Sequence, residues 1–121
     1  MRVTQKAIIL IAFLGIMVAC GSGNVVSHAT VQSFSPAQGS VANGYSGAAL
    51  DEATRLSEVR NKCGTPLAEW EDSIPFFRAR LKRLKYKTYD AHDNILNTTF
   101  TFVMSSSDPS LIGIDYDQSS N

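Results

Sequence analysis

Histidine, cysteine and tryptophan are nearly missing from this chain. Its 121 residues hold two cysteines, Cys20 and Cys63, two histidines, His28 and His92, and one tryptophan, Trp70. No Cys-x-x-Cys or His-x-x-x-His spacing occurs, so the donors for a four-ligand zinc site are not there and no metal is expected. Gly-x-Ser-x-Gly and phosphate-loop patterns are absent too, which removes common signatures of acyl transfer and nucleotide chemistry. Charge of one sign is not in excess, since eleven Lys and Arg face eleven Asp and Glu. No global basic surplus therefore points to nucleic acid. An apolar run of the roughly 20 residues needed to span a bilayer is also lacking. The longest, Ala7–Ala19, has thirteen. What remains for catalysis is thin. Cys63 with His92 would be a nucleophile and base, and Glu69 with Glu71 or Asp72 an acid–base pair. Cys63, however, falls on an apolar helical stripe, His92 in a polar turn, and the carboxylates in a charged connection. Neither set is expected to be catalytic, and no enzyme activity, cofactor or small-molecule substrate is expected.

The N-terminus, by contrast, is rich in signal. Arg2 and Lys6 precede the apolar run, and Cys20, Gly21, Ser22 and Gly23 follow it. A cationic segment, a short apolar segment and small residues together read as an export signal over residues 1–19. Met17-Val18-Ala19-Cys20 resembles a bacterial lipobox, although Met17 stands where Leu is usual. That implies lipidation at Cys20 and an anchor in the cell envelope. Ser at position 22, rather than Asp, favours the periplasmic face of the outer membrane. An ordinary secretory cut after Ala19 and an uncleaved anchor are the competing outcomes.

Residues 20–47 contain no charged side chain, five Gly and six Ser. Such composition buries too little apolar surface to offset its conformational entropy, so the stretch is expected to be a flexible tether. Its scattered Val25, Val26, Val31, Phe34, Val41 and Tyr45 leave open a second course, in which part of it packs onto the domain. A small α+β domain is expected over 48–117, with a frayed tail at 118–121. Within it, Ala49, Ala53, Leu56, Val59 and Cys63 trace one helical stripe, which predicts a helix over Ala48–Cys63. Gly64 and Pro66 end it. A break near Thr54, with Thr54 capping a second helix, is the alternative. Leu67–Pro75 reads as a connection. From Phe76 the period becomes two: Phe77, Ala79 and Leu81, then Leu84, Tyr86 and Thr88 after a one-residue slip. The slip calls for a bulge near Lys82-Arg83, and an amphipathic helix through Phe77, Leu81 and Leu84 is the rival. Asp90–Asn94 is a turn. Strands over Ile95–Met104 and Leu111–Tyr116 follow. The predicted architecture is an N-terminal helical segment packed on a three-stranded antiparallel meander, a two-layer sandwich.

One local oddity is basic. Arg78, Arg80, Lys82, Arg83, Lys85 and Lys87 place six cations in ten residues. They are candidates for contact with an anionic surface, and equally for a charged strand that discourages aggregation. Trp70, Phe76, Phe77 and Tyr89 are candidate partner contacts, with core packing as the other explanation for each.

The run Ser57-Glu58-Val59-Arg60-Asn61-Lys62-Cys63-Gly64-Thr65-Pro66 resembles the helix-ending E-V-x-x-x-x-G-x-P element of small SmpA/OmlA (BamE-like) outer-membrane lipoproteins. The Tyr-bearing strand at Lys85–Tyr89 and Phe100-Thr101-Phe102 are similar in the same order. The family's Gly-Met-Ser/Thr is replaced by Ala53-Thr54-Arg55. What the resemblance implies is helices on a three-stranded sheet and an accessory scaffold for outer-membrane protein assembly. A membrane contact through the N-terminal lipid and an envelope protein partner are accordingly expected. An inhibitor or immunity-type protein that binds an enzyme is the alternative.

Overall fold

The computed structural model describes residues 25–40, 42–74, 79–104 and 107–118. The signal segment, Cys20, Phe76, Phe77 and Arg78 lie outside the described residues. Two serines open helices by one mechanism. Ser27 Oγ accepts the Thr30 N–H at 3.1 Å and starts α1, His28–Gln32. Ser46 Oγ accepts the Ala49 N–H at 3.1 Å and starts α2, Gly47–Glu52. Each satisfies a donor that the first helical turn leaves without a partner.

The helix predicted as one piece is two. After α2 the chain turns extended at Ala53, and α3, Leu56–Cys63, begins afterwards. Thr54 explains the break. Its N–H donates to Ser35 O at 2.9 Å, its Oγ1 accepts the Ser35 N–H at 2.8 Å, and its carbonyl accepts the Leu111 N–H at 2.8 Å. A residue committed to partners on two sides has no backbone groups left for a helix. Arg55, and not Thr54, occupies the N-cap of α3, and its side chain makes no cap bond. The cap comes from 51 residues away: Asp108 Oδ1 accepts the Ser57 N–H at 3.1 Å, and Ser57 Oγ donates to Asp108 Oδ2 at 2.7 Å. At the other end, Gly64 at φ 79° takes the left-handed turn, and its N–H bonds Arg60 O at 2.8 Å.

Four antiparallel strands follow in spatial order: β1 Ala68–Ile74, β2 Ala79–Tyr89, β3 Ile95–Val103 and β4 Ser110–Gln118. The expected three-strand count therefore falls one short. The stretch expected as a connection is β1, because its own alternation pairs it with β2 from Ala68 opposite Lys85 to Ile74 opposite Ala79. The bulge expected near Lys82-Arg83 does not form. Register runs unbroken through β2, and the chain keeps its pleat by burying Leu81 on the face opposite to Leu84. The irregularity lies in β4 instead: Thr101 faces Gly113 and Phe102 faces Leu111, which leaves Ile112 as the extra residue. Gln118, assigned to a frayed tail, pairs with Leu96.

By register, Leu84, Tyr86, Thr88, Thr98, Phe100 and Phe102 share one sheet face. All six are buried. The core forms there with Val59 and Cys63 of α3 and Val31 of α1. Phe34 meets Phe100 edge-on at 5.6 Å between centroids, and Tyr86 meets the same ring at 5.8 Å. Of the two courses open to residues 20–47, the segment from Val26 to Ala37 takes the second. Val26, Val31, Phe34 and Ala37 are all buried. Val26 also pairs with Thr88 in parallel. Its N–H donates to Lys87 O at 2.8 Å, and its carbonyl accepts the Tyr89 N–H at 2.9 Å. Along that edge of β2, Val26 continues the pairing beyond Ala68, the first β1 residue.

Candidate functional site

The basic strand lies beside an acidic one. β1 carries Glu69, Glu71 and Asp72, and β2 carries Arg80, Lys82 and Arg83. Each acid reaches a diagonal neighbour across the ladder. Glu71 Oε1 meets Arg80 at 2.6 Å, Glu69 Oε2 meets Lys82 Nζ at 2.9 Å, and Asp72 Oδ2 meets Arg83 Nε at 2.8 Å. Arg60 of α3 adds a forked contact, with one guanidinium nitrogen 3.0 Å from both oxygens of Glu69. Hydrogen bonds from Arg60 and then Lys82 hold the Glu69 carboxyl down at about 2, against some opposing desolvation. Three of the six candidate cations are thus engaged within the chain, and the paired carboxylates serve as their counter-ions.

The other candidates sort by register. Arg83, Lys85 and Lys87 fall on the face opposite the core, in one column on β2. Asn97, Thr99 and Thr101 form the next column on β3, and Asp115 and Asp117 a third on β4. Lys85, Thr99 and Asp115 make one row across the three strands, and Lys87, Asn97 and Asp117 another. Trp70 lies opposite Arg83 at one end, 38 % exposed, with its indole N–H 3.3 Å from Asp72 Oδ2. Tyr89 and Ile95 pair at the other end, 36 % and 40 % exposed. Trp70 and Tyr89 are therefore surface residues on one face, about six residues of strand apart. Phe76, Phe77 and Arg78 lie outside the described residues.

Cys63 and His92 lie in different parts of the fold. The thiol is buried in the core, whereas His92 sits exposed in the hairpin between β2 and β3. Tyr86 packs into the same core and donates its hydroxyl to Gly64 O at 2.8 Å. Burial first, and then the neighbouring Cys63, raises its phenol above the ordinary range. The hairpin is organised by Asp90, whose Oδ1 accepts the N–H groups of His92 and Asn94 at 2.8 Å each. Those bonds, that of Asn94 foremost, lower the Asp90 carboxyl. A cleft of about 460 Å³ opens between the 35–38 segment and α2, lined by Ser35, Gln38, Ser46, Glu52 and their neighbours. Among the described residues no group of three or more His, Cys, Asp or Glu could hold a metal ion. No described helix is long and apolar enough to cross a membrane.

The feature missed from sequence was β1, and with it the engagement of the cations. The signal was present: Trp70, Asp72 and Ile74 alternate with Glu69, Glu71 and Ser73, and three acids stand within four residues ahead of the basic run. Comparison with known protein families, with curated proteins and with solved structures found no match for this chain.

Proposed function

We propose that this protein is a lipid-anchored module of the bacterial cell envelope that acts by binding and not by catalysis. The observation that carries the proposal is the Met17–Cys20 lipobox placed only five residues before Val25, the first described residue. Five residues span at most about 18 Å. A lipid on Cys20 would hold the Val26 edge of β2 beside the headgroups, a closer and more oriented attachment than a long tether provides. Confinement of that kind raises effective concentration, so a modest interface suffices for a partner in the same membrane.

Further support comes from the titratable groups themselves. Glu69, Glu71 and Asp72 are occupied by cations, and Cys63 faces the core. The accessory-scaffold role of SmpA/OmlA-type lipoproteins fits a helix ending at Gly64-Thr65-Pro66 ahead of an antiparallel meander. In that account the helices and the sheet form two layers, and β1 is an addition to the three-stranded pattern.

Labelling cells with a radioactive fatty acid tests the anchor. Label should enter the parent chain and not Cys20→Ala, and the variant should leave the membrane fraction. An unlabelled parent overturns the proposal. Affinity capture of the labelled protein from native membranes then separates a barrel-assembly partner from a bound hydrolase, which would mark an inhibitor instead.

A further inference from the structure

We propose that the open face of the sheet pairs with the same face of a second copy of this chain. Lys85 and Lys87 form a positive column on β2, and Asp115 and Asp117 a negative column on β4, with the neutral Asn97 and Thr99 between them on β3. Lys85 shares its row with Asp115, and Lys87 shares its row with Asp117. Neither lysine and neither aspartate forms an ion pair with another described residue. The three other cations described on β2, Arg80, Lys82 and Arg83, all have such partners. Charge is thus neutralised on the β1 side of β2 and left split across the open face.

Symmetry decides what fits such a pattern. A two-fold axis lying along β3, between two facing sheets, exchanges the β2 and β4 columns while keeping each row in place. Lys85 of one copy then stands over Asp115 of the other, Lys87 stands over Asp117, and both pairs occur twice. A two-fold axis running across the strands would instead set lysine on lysine. Only the first arrangement is complementary, and it is isologous, as a closed dimer requires. The ~10 Å spacing of packed sheets suits a long lysine reaching a short aspartate, and the usual ~30° between packed sheets needs β3 of each copy to be inclined by only about 15° to the axis. Ile95, 40 % exposed on β3, then faces its own copy with Tyr89 beside it. This supplies an apolar contact at one end of the patch.

The expected dimer is weak. Four rows about 7 Å apart on the three strands that overlap, about 5 Å apart, cover about 400 Å² per copy, below the ~800 Å² of a standard interface. With ion pairs as its organising contacts, it should also be salt-sensitive. The pairing is independent of lipidation, so it stands or falls separately from the anchor.

Sedimentation equilibrium of the full chain, held in a neutral detergent at matched density, tests it with two charge-reversal variants. One carries Lys85→Glu and Lys87→Glu, the other Asp115→Lys and Asp117→Lys. Circular dichroism confirms that both fold. The parent should be dimeric at low salt, with at least tenfold weaker association in about 1 M salt. Each variant alone should be monomeric where the parent is at least half dimeric, and an equimolar mixture of the two should recover the dimer. Three results overturn the proposal: a parent that stays monomeric up to about 1 mM, variants that dimerise like the parent, or a mixture that stays monomeric. A monomeric parent that pellets with anionic phospholipid vesicles through Lys85 and Lys87 overturns it in favour of a membrane.

Discussion

The two faces of the sheet are built from the same strands and carry opposite burdens. On the helix-covered side, Phe100, Phe102 and Leu84 are fully buried, and even the polar positions are closed: Thr88 and Thr98 share a hydrogen bond at 2.7 Å. On the other side Lys85, Lys87, Asn97 and Thr99 are only partly covered, and Asp115 and Asp117 are exposed. Alternation along β2 and β3 puts one residue on each side in turn, so a stability map of this protein should alternate with the same period. Where it does not, something besides helices is covering the sheet. Leu81 and Thr101 are already such places, buried on the open side.

The largest effect should come from the core rings. Phe100→Ala removes the ring that both Phe34 and Tyr86 pack against, and it should cost about 4 kcal/mol in chemical denaturation. Phe34→Ala should cost about 3 kcal/mol. A loss near zero at Phe34 would mean that the 25–37 segment is not part of the folded unit. Thr99→Ala, on the open face, should stay within about 0.5 kcal/mol.

Next comes the buried hydroxyl pair. Thr98→Val leaves Thr88 Oγ1 without its partner in the core, and should cost about 1–2 kcal/mol. The double change Thr88→Val with Thr98→Val should cost less than the single one, because no hydroxyl is then stranded. A thermodynamic cycle over the two sites reads this directly.

Asp108→Ala should cost about 1 kcal/mol, the usual value of a lost helix cap. Backbone hydrogen exchange should quicken in the first turn of α3 more than elsewhere. Uniform quickening would mean that Asp108 acts through its loop rather than through Ser57.

The smallest effect is electrostatic. Glu69 titrates at about 2 in the folded chain against 4.5 for a free carboxyl, so the folded state binds its proton less readily than the unfolded chain does. Its contribution is therefore present above about pH 4.5 and fades as pH falls toward 2. Partial exposure keeps it under about 1 kcal/mol. Glu69→Gln should narrow the gap to the parent as pH is lowered through that window. A gap that is constant with pH would assign the loss to geometry and not to charge.

Local signals were legible where a few neighbouring residues carry them. The alternation of Leu84, Tyr86 and Thr88, the Phe100-x-Phe102 pattern, the Asp90–Asn94 turn and the Gly64–Pro66 stop all appear where periodicity and turn chemistry put them. The candidate site was half legible. The cations were visible as a run, but the acids of β1 became their partners only once two strands lay side by side. The break near Thr54 was one of two open readings, and the stripe could not choose between them because the Thr54 backbone bonds to Ser35 and Leu111, which no helical-stripe count contains. Met17–Cys20 and Phe76–Arg78 fall outside the described residues and are known from sequence alone.

By itself, then, the sequence determined which short segments alternate, where the last helix stops, and that an apolar run ends in a cysteine. These properties depend on side chains within about a turn of one another. Tertiary structure decided the rest: that Val26, Val31 and Phe34 belong to the core, that Asp108 caps a helix 51 residues before it, and that an acidic strand occupies the basic one. Each of these joins residues far apart along the chain, and such contacts form only when the whole apolar surface is buried at once.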